Sequence, residues 1–254
     1  MKWPQDFMNK VICGDALEIM KKMPNESIDM AMTSPPYYGL RDYGIKNQIG
    51  LEDNPEEYIK KLVIIFRELK RILRKTGSLY LNLGDVYYSP NIVKKKSNWL
   101  QTKQLMQMPA RIAIALQGDG WILRNDIIYH KRNYLPSSIK DRLTNTYEHI
   151  YFFVKDRKYF YDLDSIREPC TTIKNRGKTN PKIFDTKRQD ERAVLSKRQG
   201  LHTFYGHSRR GVELNNPLGK NPGDIIHTLL KAIFFWVQQN MLIGILIRGK
   251  KETG

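Results

Sequence analysis

The stretch Ile28-Asp29-Met30-Ala31-Met32-Thr33-Ser34-Pro35-Pro36-Tyr37-Tyr38-Gly39-Leu40-Arg41-Asp42-Tyr43-Gly44 decides the reading of this chain. Ile28 to Met32 is short and mostly apolar, which predicts a buried strand. Pro35 and Pro36 must stop that strand, because neither can donate to a sheet ladder and both restrict the backbone. One small polar side chain (Ser34), one carbonyl (Pro35) and one aromatic ring (Tyr37) are thereby held at the C-terminal edge of a strand. In open α/β sheets that edge is where ligands bind.

Upstream, Asn9 to Cys13 predicts a strand, Gly14-Asp15 closes it, and Leu17, Met20 and Met23 predict a short helix ending at Pro24. Asp15 stands where it could cap that helix or accept hydrogen bonds from a cofactor. Downstream, Leu40 to Gly50 is a polar loop in which Arg41 and Tyr43 are candidate contacts to phosphate or base, or simply solvated surface. Asn54-Pro55-Glu56-Glu57 is a helix start, with an N-cap, proline at the first position and Glu at the third. Tyr58, Leu62, Ile65, Phe66, Leu69, Ile72 and Leu73 recur at helical spacing. Lys70, Arg71, Arg74 and Lys75 suit the end of that helix, and Gly77 is expected to terminate it. Ser78 to Leu83 predicts a strand closing at Gly84-Asp85.

Further on, Tyr87 to Thr102 carries Lys94, Lys95 and Lys96 without periodicity and predicts a basic loop near phosphate. A helix is expected over Gln104–Gln117, and strands over Trp121–Tyr129 and Tyr147–Val154. Asp156-Arg157-Lys158 predicts a turn into a hairpin strand at Tyr159–Tyr161. Glu148 and His149 are read as structural, since no metal partner accompanies them.

Ser34-Pro35-Pro36-Tyr37 resembles motif IV of the DNA amino-methyltransferases, whose pattern is Asp/Asn/Ser-Pro-Pro-Tyr/Phe. Gly14-Asp15 before it, the helix–Gly–strand unit after it, and the runs from Trp121 and from Thr146 resemble further motifs of the same family, over about residues 9 to 224. The resemblance implies a doubly wound α/β mixed sheet of the Rossmann-like, S-adenosylmethionine-dependent kind. It implies methylation of an exocyclic amino group of a flipped base in double-stranded DNA, within a restriction-modification system with a cognate endonuclease. Ser34, Pro35, Pro36 and Tyr37 would carry the chemistry, and Asp15 would contact the cofactor. The serine form is typical of enzymes acting on N4 of cytosine, the aspartate form of those acting on N6 of adenine, and the correlation is imperfect. An exocyclic amino nitrogen is a poor nucleophile because its lone pair is delocalised into the ring. Acceptors at Ser34 Oγ and the Pro35 carbonyl would localise that pair and stabilise the developing charge. Tyr37 would stack on the flipped base. Methylation of a protein amide, performed by Asn-Pro-Pro-Tyr relatives, fits less well with serine at position 34 and the basic insert.

Composition agrees with a polyanionic partner. The 254 residues carry a net charge of +17, and 41% are apolar, enough for a core. Two cysteines, Cys13 and Cys170, lack metal-ligand spacing, so neither a metal site nor a disulfide scaffold is expected. No apolar leader is visible, and a cytoplasmic protein is expected. Thr171 to Gly211 holds eleven Lys and Arg against three Asp and Glu. By the resemblance it is the target-recognition segment, with Arg209 and Arg210 as DNA contacts; a disordered basic linker is the alternative. The expected organisation is a catalytic region over 1–168, a basic recognition segment over 169–220 and an atypical apolar tail over 221–254. The family's Phe-x-Gly-x-Gly cofactor turn occurs nowhere in the sequence. The tail is therefore expected to be a buried helix or the product of a frame change, and the chain a truncated member with impaired cofactor binding, or a non-catalytic DNA-binding remnant. Polar residues such as Lys231 and Gln238 argue against a membrane span there.

Overall fold

A chain with one mixed sheet must cover at least one of its faces, and the helix with the clearest amphipathic pattern does so here. The computed structural model describes residues 1–44, 47–90, 93, 99–134, 136–168 and 220–227, with the backbone of 244–246. The elements run α1 (Ala16–Met20), β1 (Ile28–Thr33), α2 (Pro55–Ile72), β2 (Leu73–Leu83), α3 (Met108–Gly118), β3 (Ile122–His130), β4 (Tyr147–Val154), a 3-10 turn at Asp164–Ile166, β5 (Ile225–His227) and β6 (Gly244–Leu246). The strand order is β5-β3-β4-β2-β1-β6. β1 pairs with β2 and β3 with β5 in parallel, while β4 runs antiparallel between β2 and β3. This is the mixed α/β, Rossmann-like fold expected. Contacts divide the chain into a unit of residues 1–161 with 223–254 and a second of residues 162–222. In the second, Glu168 and Lys220 form an antiparallel bridge and an ion pair at 3.0 Å.

α2 starts as its sequence dictates. Asn54 Oδ1 accepts from Glu57 N at 2.8 Å, and Asn54 Nδ2 donates to Glu57 Oε1 at 2.8 Å. Tyr58, Leu62, Phe66 and Leu69 are each at most 1% exposed, packed with Leu79, Leu81 and Leu83 of β2 and with Ile112 and Leu116 of α3. Among the described residues the helices gather on this face. The opposite face holds Met32, Tyr80, Ile127, Tyr129, Ile150 and Ile226.

Four expectations are corrected. Asn9–Cys13 is not a strand: Val11 is 63% exposed, Asn9 adopts φ 56°, and a ladder needs a neighbour. Gly77 does not end α2, which stops at Ile72, so Arg74 and Lys75 lie in β2. Gly77 instead lets two strands approach, since a Cβ there would fall 2.9 Å from Asp29 O. Tyr159–Tyr161 forms no hairpin strand, because β4 already has β2 on one side and β3 on the other. Those residues fold against the sheet, with Tyr159 and Tyr161 centred 5.7 and 5.8 Å from Phe152. Finally, Ile225–His227 and Gly244–Leu246 are strands at the two sheet edges rather than parts of one terminal helix. Residues 228–243 and 247–254 lie outside the described residues.

Phe66→Ala removes a fully buried ring from between α2 and the sheet and is expected to cost about 3–5 kcal/mol, read from the urea midpoint. A shift under 1 kcal/mol would contradict the packing.

Candidate active site

Parallel pairing of β1 with β2 brings two strand ends together. The register ends by matching Thr33 with Leu81, so Ser34-Pro35-Pro36 and Asn82-Leu83-Gly84 follow at the same end of the paired strands. Ser34 is 3% exposed and Tyr37 8%. Tyr58 OH from α2 donates to the Pro36 carbonyl at 2.8 Å. Among the described residues the Pro35 carbonyl accepts no hydrogen bond, so it remains available as an acceptor. The loop that follows is pinned back by Gly39 N to Gly50 O at 2.7 Å and Tyr38 OH to Glu52 O at 3.1 Å.

Tyr37 is not a free stacking platform. Its ring lies against Gly84, where a Cβ would fall 2.6 Å from Tyr37 Cε2. Ser34 Oγ donates to Tyr37 OH at 3.1 Å, and Tyr37 OH donates to Glu148 Oε2 at 3.0 Å. Asn82 Nδ2 donates to the same oxygen at 3.0 Å, and Lys131 Nζ pairs with Glu148 Oε1. Glu148, read from the sequence as structural, is thus joined to Ser34 through one hydroxyl. The available signal was alternation: Glu148, Ile150 and Phe152 share a face of β4, and β4 pairing sets that face beside Asn82 and Tyr80. His149, on the other face, bonds Asp126 through Nδ1 at 2.9 Å and stacks on Tyr151.

On the helix side of the same edge lies a small cleft lined by Asp15, Leu17, Thr33, Pro35, Pro36 and Phe66 among others. Asp15 caps α1, its Oδ1 accepting from Glu18 N at 3.0 Å, and lines this cleft as well. The Pro35-Pro36 wall therefore stands between an apolar cleft with a carboxylate and a polar chain of three residues. Next to it Asp85 Oδ1 accepts from Val86 N at 2.9 Å and Met108 N at 3.0 Å, tying β2 to the start of α3. Burial pushes the Asp85 carboxyl above the usual range, partly offset by those bonds.

Arg41 and Tyr43 are exposed, and their backbones are held by Gln48, whose amide donates to Arg41 O at 2.7 Å and accepts from Tyr43 N at 2.6 Å. Lys94, Lys95, Lys96, Arg209 and Arg210 lie outside the described residues. A groove that sequence reasoning missed is lined by Tyr87, Tyr88, Lys103, Asp141 and Arg142, with the Arg142 guanidinium 3.7 Å from the Tyr87 ring centre. Among the described residues there is no cluster of metal-ligating side chains, and no helix is long and apolar enough to cross a membrane.

A proline-locked Ser-Pro-Pro-Tyr corner at the edge of a mixed sheet, beside an apolar cleft, defines an α/β class with its candidate site at the strand ends. The DNA methylase family model, covering N6 and N4 enzymes, matches residues 28–229, and the chain belongs to that family. It is 40% identical over 191 residues to the Type II methyltransferase M.SfiI of Streptomyces fimbriatus, covering 74% of this chain and 44% of the relative. It is 45% identical to M.XycI of Xanthomonas campestris pv. cyanopsidis, covering 62% and 58%. To M.SmaI of Serratia marcescens it is 42% identical, covering 69% and 66%. The chain thus spans about half to two thirds of the length of these relatives. Among solved structures, PvuII DNA methyltransferase (cytosine-N4-specific) superposes with a TM-score of 0.48 at 22% identity, over 61% of this chain and 52% of that one.

Gly84→Ala is expected to displace the Tyr37 ring and cost about 1–3 kcal/mol by overpacking, measured by urea unfolding; an unchanged midpoint would contradict the contact. The raised Asp85 carboxyl makes a signed prediction. A folded-state value above the unfolded one means that the protonated form favours the fold. Its stabilisation is complete at acid pH and is lost as pH climbs through the raised value. Asp85→Asn can still accept at Oδ1, so it should flatten that loss in thermal unfolding between roughly pH 3 and 7. A wild-type–variant difference constant across that window would refute it.

Proposed function

We propose that this chain acts in site-specific methylation of double-stranded DNA, with N4 of cytosine as the accepting atom and S-adenosylmethionine as donor. The observation that carries the reading is the Pro35-Pro36 wall: two acceptors, Ser34 Oγ and the Pro35 carbonyl, stand at the strand end beside a cleft that Asp15 also lines. The lining matches an adenosyl group in chemistry, with apolar side chains at Leu17, Ile49 and Phe66 and a carboxylate to accept hydrogen bonds. When bound, the cofactor supplies an electrophilic methyl group. Ser34 and Pro35 would accept from both N–H bonds of the target amino group, drawing its nitrogen lone pair out of the ring. They would also stabilise the positive charge that forms there. Serine is too weak a base to take the proton first, so the proton leaves after transfer, when the nitrogen has become acidic. The basic residues over 171–211 supply phosphate contacts, including Arg209 and Arg210, and Lys94 to Lys96 add to them. Likeness to Type II methyltransferases supports a restriction-modification setting with a cognate endonuclease.

Serine at position 34 favours cytosine N4 over adenine N6 as the target. A second reading is a DNA-binding remnant without activity, for which the net charge of +17 alone would suffice. One experiment separates the three. The chain is incubated with duplex DNA and methyl-labelled cofactor, and the DNA is digested to nucleosides and weighed. N4-methyldeoxycytidine is expected, with Ser34→Ala slowing its formation by roughly 10²–10³-fold, the scale of a lost transition-state contact. N6-methyldeoxyadenosine would overturn the base assignment, and salt-sensitive DNA binding with no label transferred would establish the remnant.

A further inference from the structure

We propose that the groove walled by Tyr87, Lys103 and Arg142 seats one unstacked nucleotide of the DNA strand near the target base, a placement that rests on the DNA-methylation reading above. The base lies against the Tyr87–Arg142 pair and the phosphate at Lys103.

The groove is built where the β2–β4 ladder ends. Leu83 pairs with His149, so the chain leaving β2 and the chain entering β4 diverge at the edge that also carries Ser34. Past β2, a short antiparallel bridge holds one wall: Met106 N donates to Val86 O at 2.9 Å and Tyr88 N to Gln104 O at 2.7 Å. Before β4, Asn145 Oδ1 accepts from Tyr87 OH at 3.4 Å, and the Arg142 guanidinium lies 3.7 Å from the Tyr87 ring centre. Between these walls is a cavity of about 540 Å³, lined also by Ile139 and Asp141. Small-ligand sites run from about 300 to 1,000 Å³, so one nucleotide has room. Gly84, against which the Tyr37 ring lies, is three residues before Tyr87. Three residues reach at most about 11 Å, the rise of about three stacked nucleotides. The groove is therefore close enough to the proline corner to take a neighbour of the target.

The lining has the chemistry of a nucleic-acid strand. A tyrosine ring and a planar guanidinium offer a stacking face that tolerates any base. Lys103, 79% exposed at its side chain, offers a point charge to phosphate. Ile139, 45% exposed, adds apolar surface that a free phosphate would not use. One anion is already present: Asp141 Oδ2 stands 2.5 Å from Lys103 Nζ. Its hydrogen bond to Lys103 holds the Asp141 carboxyl below the usual range, so it is charged at neutral pH. Both partners are exposed to solvent, and such a pair is weak enough to be exchanged. A phosphate oxygen arriving at Lys103 displaces the carboxylate. Lys103 thus attracts the strand while Asp141 competes with it, and the two residues act with opposite sign.

The probe is a DNA duplex with a short unpaired centre of 5-iododeoxyuridine, irradiated on the whole chain, with cross-linked peptides sequenced by mass spectrometry. A cross-link at Tyr87 is expected, and Tyr87→Phe, which keeps the ring, is expected to retain it. Lys103→Ala is expected to lower that yield and Asp141→Asn to raise it, each by about two- to fivefold, the scale of one exposed ion pair. Thermal melts check that both variants fold. An acidic peptide of equal charge is expected to compete at least about tenfold less well than the same duplex without iodine, because it has no base to stack. Three results would each overturn the groove assignment and leave the methylation reading standing. The probe binds but cross-links only elsewhere; the Lys103 and Asp141 variants leave the yield unmoved or move it the same way; or the acidic peptide competes equally. A chain that does not bind the probe at all brings down the methylation reading as well.

Discussion

Everything at the candidate site depends on β1 and β2 being parallel neighbours. Parallel strands cannot be joined by a tight turn, so the chain must leave the sheet, cross it and return, and α2 is that crossing. The return places two strand C-termini side by side, one ending in Ser34-Pro35-Pro36 and the other in Gly84-Asp85. Two glycines make this fit close. Gly77 lets β2 approach Asp29 at the near end, and Gly84 admits the Tyr37 ring at the far end. Stability and site geometry are therefore coupled: the same apolar face of α2 that drives the core also brings Tyr58 to the Pro36 carbonyl.

The two sides of the proline corner differ in chemistry because they belong to different faces of the sheet. Toward the helices the lining is Leu17, Ile49, Leu62 and Phe66, with Asp15 as its acidic member. Toward the other face lie Asn82 and Glu148, buried polar groups on adjacent strands; Asn82 Nδ2 and Tyr37 OH both donate to Glu148, while Asn82 Oδ1 has no hydrogen-bond partner among the described residues. A buried carboxylate is tolerated only when paired and hydrogen-bonded. Lys131, Asn82 and Tyr37 supply that pairing here. An apolar cleft and a buried polar chain thus meet at a single strand end.

Much of this was legible one residue at a time. The cap at Asn54 and Glu57, the periodic face of α2 and the limits of β4 follow from local spacing, and local spacing is what a sequence records most directly. Ser34-Pro35-Pro36-Tyr37 was legible as a corner because proline acts on its own backbone. Asp15 was legible as a cap, and its position on the cleft only as an implication of resemblance. The errors have a common cause. Asn9–Cys13 has strand-like residues but no neighbouring strand, and Tyr159–Tyr161 has aromatic strand formers but a partner already paired on both sides. A strand is a property of a pair, and one segment does not carry it alone.

By itself, then, the sequence determined the fold class, the place of the proline corner and the kind of chemistry its side chains could offer. Tertiary structure alone decided that Tyr37 turns its hydroxyl toward Glu148, 111 residues away, instead of offering an open ring. The reason is physical. Hydrogen-bond direction depends on which groups meet and how many protons each holds, and Ser34, Tyr37, Asn82 and Glu148 meet only because β4 inserts antiparallel between β2 and β3.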